Sequence, residues 1–408
     1  MKTSPLLIIL VLILLFPTAY AQSVLKTGIW RGVTKTATGV EIPFNFELSD
    51  VAGHSQIAVM NGVERIKVTD ITLKGDSVFI RMPLFDSGFK LKLIAGNLVG
   101  KWIKNLGDKY VAMDFKATPN TIWRFKTTQK PLFNITGRWS APIGEGANKD
   151  ITVGEFKQTG SKLTGTFLST TGDYRYLEGV VNGNELYLSC FDGGHDYLFT
   201  GKINGRKITD GKYYAGLTSI DHWTAVRDEN AKLPDAYSLT ALKPGYKKIA
   251  FTFPDISGHK VSLTDSRFKN KVVIVQILGS WCPNCMDETA YLINYYKKYH
   301  PKGVEIIGLA YERTKDFAKS QRTILQLKNR FNIPYPLLLT GYTPVNGDPA
   351  KSLPMLTKVL GFPTTIIIDK KGNVRKISTG FSGPGTGVYY TQFKTEFEKL
   401  TEGLLAEQ

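Results

Sequence analysis

Two of the three cysteines in this 408-residue chain stand close together in Trp281-Cys282-Pro283-Asn284-Cys285, directly after the apolar run Val272 to Leu278. With Cys282 at a helix N-cap and Cys285 in the first turn, the sulfurs come within bonding reach. The free N–H groups and the dipole of that helix then stabilise a thiolate on the first sulfur. The chemistry this suits is a reversible dithiol/disulfide pair. Zinc is the main competing use of two close cysteines, but a tetrahedral site needs more ligands. One further cysteine and five scattered histidines supply no second close pair, so no metal is expected. An inert structural bridge is the other alternative, and so short a loop would constrain the unfolded chain little.

The pair has to be carried by a strand and a helix, and the surrounding pattern provides them. Val272 to Leu278 is nearly all apolar, as in a strand covered on both faces, and Met286 to Tyr299 has helical periodicity. Val304 to Ala310 is again an apolar strand, giving a β-α-β order. Next come an expected helix (315–331), a strand (335–339), a short helix (352–360) and a strand (364–368). A turn at Lys370 to Asn373, a strand (374–379) and an amphipathic helix (390–405) complete the domain. The segment Thr340 to Ala350, with Pro344, Gly347 and Pro349, reads as a loop near the site.

The region before it belongs to a different class. Thr27-Gly28-Ile29-Trp30 returns as Thr136-Gly137-Arg138-Trp139, Phe85-Asp86-Ser87-Gly88 as Phe191-Asp192-Gly193-Gly194, and Gly100-Lys101-Trp102 as Gly211-Lys212-Tyr213. Three matches in one order, about a hundred residues apart, indicate a duplication. Each half is strand-like throughout, as in Ile66 to Leu73 and Ser77 to Arg81. Asn182-Gly183 and Asn204-Gly205 suggest type I′ hairpin turns. Antiparallel barrels or sandwiches follow. The Gly-x-Trp openings resemble those of lipocalin-like barrels, with Trp30 and Trp139 in a packed core or, second, around an enclosed ligand cavity.

The fold class is therefore multidomain: an all-β duplicated N-terminal region, barrel- or sandwich-like, followed by an α/β domain. The expected units are a signal peptide (1–21), β-rich repeats (22–130 and 131–231), a Pro-containing linker (232–245) and the α/β domain (246–408). Lys2, the apolar stretch Leu6 to Phe16 and Ala19-Tyr20-Ala21 make the signal, too short for a good membrane span. Export to a bacterial periplasm or cell envelope follows, with an uncleaved N-terminal anchor as the alternative. Sparse cysteines in an exported chain argue against a disulfide-stapled scaffold, so the close pair is there for chemistry. Cys190, in an alternating run, is expected in the core.

The formal net charge is +17 without a dense basic run. A solvated basic surface is the plain reading, and association with acidic partners or anionic membrane surfaces is the second. Export disfavours nucleic acid. Asn134-Ile135-Thr136 fits a glycosylation sequon, which matters only on a eukaryotic secretory route.

Residues 249 to 405 resemble the thioredoxin superfamily, and more closely the exported TlpA/ResA-like thiol-disulfide oxidoreductases. The resemblance is carried by Phe251 to Gly258, Asn270 to Val275, Trp281 to Glu288 and Gly361-Phe362-Pro363-Thr364-Thr365. It covers under half of the chain and says nothing about the duplicated region. The resemblance implies that Cys282 is the nucleophile forming a mixed disulfide and that Cys285 resolves it, with no cofactor beyond this redox-active pair. It implies a cis bond at Pro363 and substrate binding through the backbone of Phe362. Trp281 shields the sulfurs or simply packs.

Ordinary thioredoxins carry a buried Asp where this chain has Gln276, whereas Glu288 matches the acidic residue of the TlpA/ResA-like group. Glu288 relays a proton near the sulfurs or is a solvated first-turn carboxylate. With no Lys, Arg or His between the cysteines, the couple is expected to be reducing. The expected partners are protein disulfide substrates and an upstream thiol electron donor. A thiol peroxidase is the alternative enzyme, disfavoured because Leu278, Gly279 and Ser280 replace its signature Pro and Thr. A β-domain binding module with an accessory redox domain is the non-enzymatic alternative.

Overall fold

Alternation of buried and exposed side chains, the mark of a strand with one wet face, runs through the N-terminal half and builds two antiparallel meanders. The computed structural model describes residues 25–146, 149–345 and 348–407. The expected signal segment therefore lies outside the described residues, as does the centre of the loop at 346–347. Among the described residues no helix is long and apolar enough to cross a membrane.

The first meander comprises β1 (Gly28–Lys35), β2 (Glu41–Val51), β3 (His54–Asn61), β4 (Glu64–Val68), β5 (Asp70–Lys74), β6 (Ser77–Arg81), β7 (Ser87–Ile94), β8 (Asn97–Asn105) and β9 (Tyr110–Pro119). Its order is β4-β3-β2-β1-β9-β8-β7-β6-β5, so β1 pairs with β9 and the sheet curls into a nearly closed barrel. The open seam lies between β4 and β5. Ile66 to Leu73 is thus two strands rather than one, broken at Thr69, whose carbonyl accepts from Ile71.

The second meander comprises β10 (Gly137–Ser140), β11 (Thr152–Thr159), β12 (Lys162–Ser169), β13 (Gly172–Asp173), β14 (Leu177–Asn182), β15 (Glu185–Phe191), β16 (Asp196–Asn204), β17 (Lys207–Ala215) and β18 (Ser219–Arg227). Here β11 pairs with both β10 and β12, which closes the barrel, and the short β13 hangs on β12. The hairpins at Gly183 and Gly205 differ from the expected type. Only the first central residue, the glycine, has positive φ (60° and 58°), which is the type II′ pattern.

The duplication is visible in matching details. Trp30 and Trp139 are both fully buried, and each indole N–H donates to the carbonyl four residues earlier, Lys26 at 2.8 Å and Ile135 at 2.9 Å. Both barrels have packed interiors. Phe191 of the second barrel enters the first, stacking on Phe44 with centroids 4.1 Å apart and meeting Trp102 edge-on. Cys190, its neighbour, is buried in the second core, and burial raises its thiol pKa well above the ordinary value.

The C-terminal domain has a hairpin of β19 (Thr252–Pro254) and β20 (Lys260–Ser262). Its main sheet contains β21 (Val272–Leu278), β22 (Val304–Ala310), β23 (Leu337–Leu339), β24 (Thr364–Ile368) and β25 (Val374–Thr379). The order is β23-β22-β21-β24-β25, parallel from β21 to β23 and antiparallel at β24 and β25. Its helices are α1 (Pro283–Tyr299), α2 (Phe317–Phe331), α3 (Asp348–Ser352) and α4 (Val388–Ala406). Central β21 is buried at every position, as its unbroken apolar run requires.

Two expectations change here. The short helix lies at 348–352 and ends where 352–360 was expected to begin, because Pro354 disfavours helix at Leu353 and has no N–H to continue one. Segment 232–245 does not hang free. Lys243 N donates to Met355 O at 2.8 Å, Thr379 N to Ala236 O at 3.1 Å, and the Thr240 and Thr379 hydroxyls meet at 2.8 Å, so it is strapped along the sheet domain.

Candidate active site

Strand β21 delivers the chain through Gly279, Ser280 and Trp281 to Cys282, which is the N-cap of α1 with Pro283 in the first turn. A missing N–H at that position leaves nothing unpaired that the helix would otherwise satisfy. The Cys285 N–H donates to the Cys282 sulfur at 3.2 Å, and the two residues form a disulfide with Cα atoms 5.3 Å apart. Cys282 is only 4% exposed, and Cys285 is fully buried.

Opposite the pair, the Phe362–Pro363 bond is cis, and the Phe362 carbonyl oxygen lies 3.5 Å from the Cys282 sulfur. Trp281 closes one side: its indole N–H donates to Tyr311 O at 2.9 Å and its ring meets Phe362 edge-on at 5.2 Å. Ser280 is held by Glu312, which accepts from its N–H at 2.8 Å and its hydroxyl at 2.6 Å. Burial raises the Glu312 carboxyl, and the Ser280 and Thr323 hydrogen bonds pull it back.

Glu288 is not solvated. It is 2% exposed beneath the pair, with Thr365 Oγ1 donating to one carboxylate oxygen at 2.6 Å and Gln276 Nε2 to the other at 2.8 Å. Gln276, on β21, also reaches Cys285 O at 3.4 Å. Burial pushes the Glu288 pKa up to about 7, opposed by the Thr365 and Gln276 hydrogen bonds. No cation neighbours it in that balance, so near neutrality this carboxyl can hold or release a proton.

Residues from the barrels complete the site, and local sequence gave little sign of them. The β12–β13 turn lies on the redox face. A Cβ on Gly172 would land on the Asn284 side chain, and one on Gly361 would land on the Thr171 methyl. Asp173 Oδ2 accepts from Gly383 N at 2.7 Å. Arg175 reaches Asp287 of α1 at 2.7 Å and pairs with Glu64 of the first barrel. From that first barrel Phe85, at φ 68°, joins the apolar cluster that contains Cys282 and Met286. The only sequence hint was Thr170-Thr171-Gly172-Asp173, an ordinary turn composition.

The Arg175 cluster is electrostatically unlike the Glu288 pocket. Burial works against the Arg175 charge, but Asp287, Glu64 and Asp192 together hold its pKa well above the usual value. Burial pushes Asp287 up to about 7, with Arg175 pulling it down and the nearby acids Asp173 and Glu64 adding to the rise. Asp192 is held at about 2, because His195 and Arg175 outweigh its burial. Among the described residues no group of His, Cys, Asp and Glu is arranged to hold a metal ion.

The C-terminal domain is similar to known proteins. Residues 244–377 match the AhpC/TSA family model. The chain is 28% identical over 141 residues to the thiol-disulfide oxidoreductase ResA of Geobacillus kaustophilus, covering 35% of this chain and 72% of that protein. To ResA of Bacillus subtilis it is 27% identical over 130 residues, covering 32% of this chain and 64% of that one. Among solved structures it is similar to a thiol-disulfide isomerase from Corynebacterium glutamicum, with 17% identity, a TM-score of 0.32, and coverage of 40% of this chain and 99% of that one.

Proposed function

We propose that this chain, a thioredoxin-superfamily, TlpA/ResA-like thiol-disulfide oxidoreductase, works as a reductase of protein disulfides outside the cytoplasm. The carrying observation is the placement of Cys282 at the cap of α1, above a buried Glu288 whose carboxyl titrates near neutrality. In the reduced enzyme the Cys282 thiolate attacks a substrate S–S bond. A mixed disulfide forms and one substrate sulfur leaves as a thiolate that takes up a proton. Cys285 then loses its proton and attacks the Cys282 sulfur, releasing the second substrate thiol and closing the enzyme disulfide. Two electrons pass to the substrate, and an upstream thiol donor restores the dithiol.

Glu288 takes part by holding the proton that Cys285 must give up. When it is neutral it does not oppose a thiolate above it, and when ionised it does. The slot between the cysteines holds Asn284, which adds no positive charge to stabilise a thiolate, and this favours reduction over oxidation. Phe362 and Pro363 are the backbone edge on which the substrate segment lies, with Trp281 as its side wall. Residues 1–21 support export, and the net charge of +17 is compatible with contact with an anionic membrane surface.

Trapping tests this reading. In Cys285→Ala the mixed disulfide cannot be resolved, so discrete protein adducts should accumulate through Cys282 and disappear on adding dithiothreitol. No adducts, together with rapid peroxide turnover by the unmutated chain, would overturn it in favour of a thiol peroxidase.

A further inference from the structure

Cys282, assigned above as the nucleophile, is 4% exposed, and a turn from outside the sheet domain packs against its neighbours. Thr171 and Gly172, at the tip of the β12–β13 turn, meet Gly361 and Asn284. Gly361 directly precedes the Phe362–Pro363 edge, and Asn284 lies between the two cysteines. The same turn passes Gly380, where an added Cβ would meet the Thr170 carbonyl. An extended substrate segment laid along Phe362 and a barrel turn at this place compete for the same space. Resting on the reductase reading, we propose that Thr171 and Gly172 are specificity-determining residues: the turn occupies the substrate groove, admits small disulfides and has to be displaced by a protein disulfide.

Polar contacts at the base of the turn hold the closed arrangement. Asp173 accepts from Gly383, and Arg175 reaches across to Asp287. It also carries a defect, since Asn284 Oδ1 is buried without a hydrogen-bond partner among the described residues. An unpaired buried acceptor weakens the state that contains it. A substrate backbone N–H arriving in place of the turn would supply the missing donor. The groove is thus filled by something a peptide can replace.

The test uses the full chain in its reduced form. Cys282 is labelled with iodoacetamide and with a bulky polyethylene-glycol maleimide, each site read by peptide mapping, and the rates of reducing hydroxyethyl disulfide and insulin are measured alongside. Gly172→Ala pushes the turn off Asn284, and Thr171→Ala, a milder change that preserves the barrel, removes the methyl over Gly361. If the open state is a minor one, about 1–10% populated, both variants should raise the bulky-to-small labelling ratio, Gly172→Ala by up to about tenfold. The insulin-to-small-disulfide ratio should rise with it, while the redox potential stays put. Thr171→Val, which keeps the methyl, should match the wild type. Labelling ratios that are equal in wild type and both Ala variants overturn the gate, even if reduction proceeds. Absent reduction with a shifted labelling ratio overturns the reductase reading and leaves the gate standing.

Discussion

The molecule buries carboxylates in two places and surrounds them differently. Around Arg175, where the two barrels and α1 meet, Glu64, Asp192 and Asp287 crowd a cation that is itself out of water. Near the disulfide, Glu288 is also buried, and among the described residues its hydrogen-bond partners are the neutral Gln276 and Thr365. One cluster gathers acids around a cation that joins parts of the chain, with Asp192 held at about 2 and Asp287 pushed up to about 7. In the other, burial pushes Glu288 up to about 7 against the Thr365 and Gln276 hydrogen bonds. Neither burial nor a buried cation decides protonation alone: beside the same Arg175, His195 helps to hold Asp192 low, whereas Asp173 and Glu64 help to raise Asp287.

The largest effect that could break this comparison is expected from Arg175→Ala. Removing the cation strands several buried acids, so unfolding in denaturant should show a loss of about 3–5 kcal/mol. A loss too small to measure would mean that the cluster joins nothing. Glu288→Gln should behave in the reverse manner, keeping or raising stability above neutral pH. The sign follows from its raised pKa: the folded chain keeps a proton that the unfolded chain releases above about pH 4.3. Stability from this group is therefore full at low pH and is lost as pH rises through about 7. In Glu288→Gln that decline should shrink, though not vanish, because Asp287 and Asp196 are also raised, to about 7 and about 6. Denaturant midpoints at several pH values read this directly.

Disulfide reduction by Glu288→Gln should fall by up to about a hundredfold near neutral pH, the lower range for loss of a positioned proton carrier. An unchanged rate and pH profile would remove Glu288 from the chemistry. The smallest effect is expected from Thr365→Val, which deletes a hydrogen bond favouring the ionised carboxylate. The midpoint of the pH–rate profile should move up by roughly one unit, the equivalent of a bond worth about 1.4 kcal/mol.

Much of the sheet domain was legible because its signals are local. Val272–Leu278, Val304–Ala310, Thr364–Ile368 and Val374–Thr379 are bounded in the structure as their apolar patterns suggested. The cap geometry of Cys282 likewise needs only a strand, a helix and a proline in sequence. That Glu288 would be buried was not readable, since a first-turn carboxylate is ordinarily stabilised by the helix dipole in water. It took β21 and β24, distant in sequence from each other, to bring Gln276 and Thr365 against it. The expected helix over 352–360 does not form, because Pro354 disfavours helix at Leu353, and the short helix precedes it at 348–352. The insertion of Phe191 into the first barrel and the reach of Thr171, Gly172 and Arg175 onto α1 are long-range contacts. No pattern within either segment encodes them.

The contact of Gly172 with Asn284 also bears on how such a chain can diverge. The positions between the two cysteines, Asn284 among them, are where substitution most directly retunes a thiol couple. Here that side chain has a glycine of another module pressed against it, so a longer or charged replacement has nowhere to go until the turn changes as well. Redox tuning and the shape of the second barrel are thereby bound into one inherited trait. Drift toward an oxidant would require at least two coordinated substitutions in segments more than a hundred residues apart.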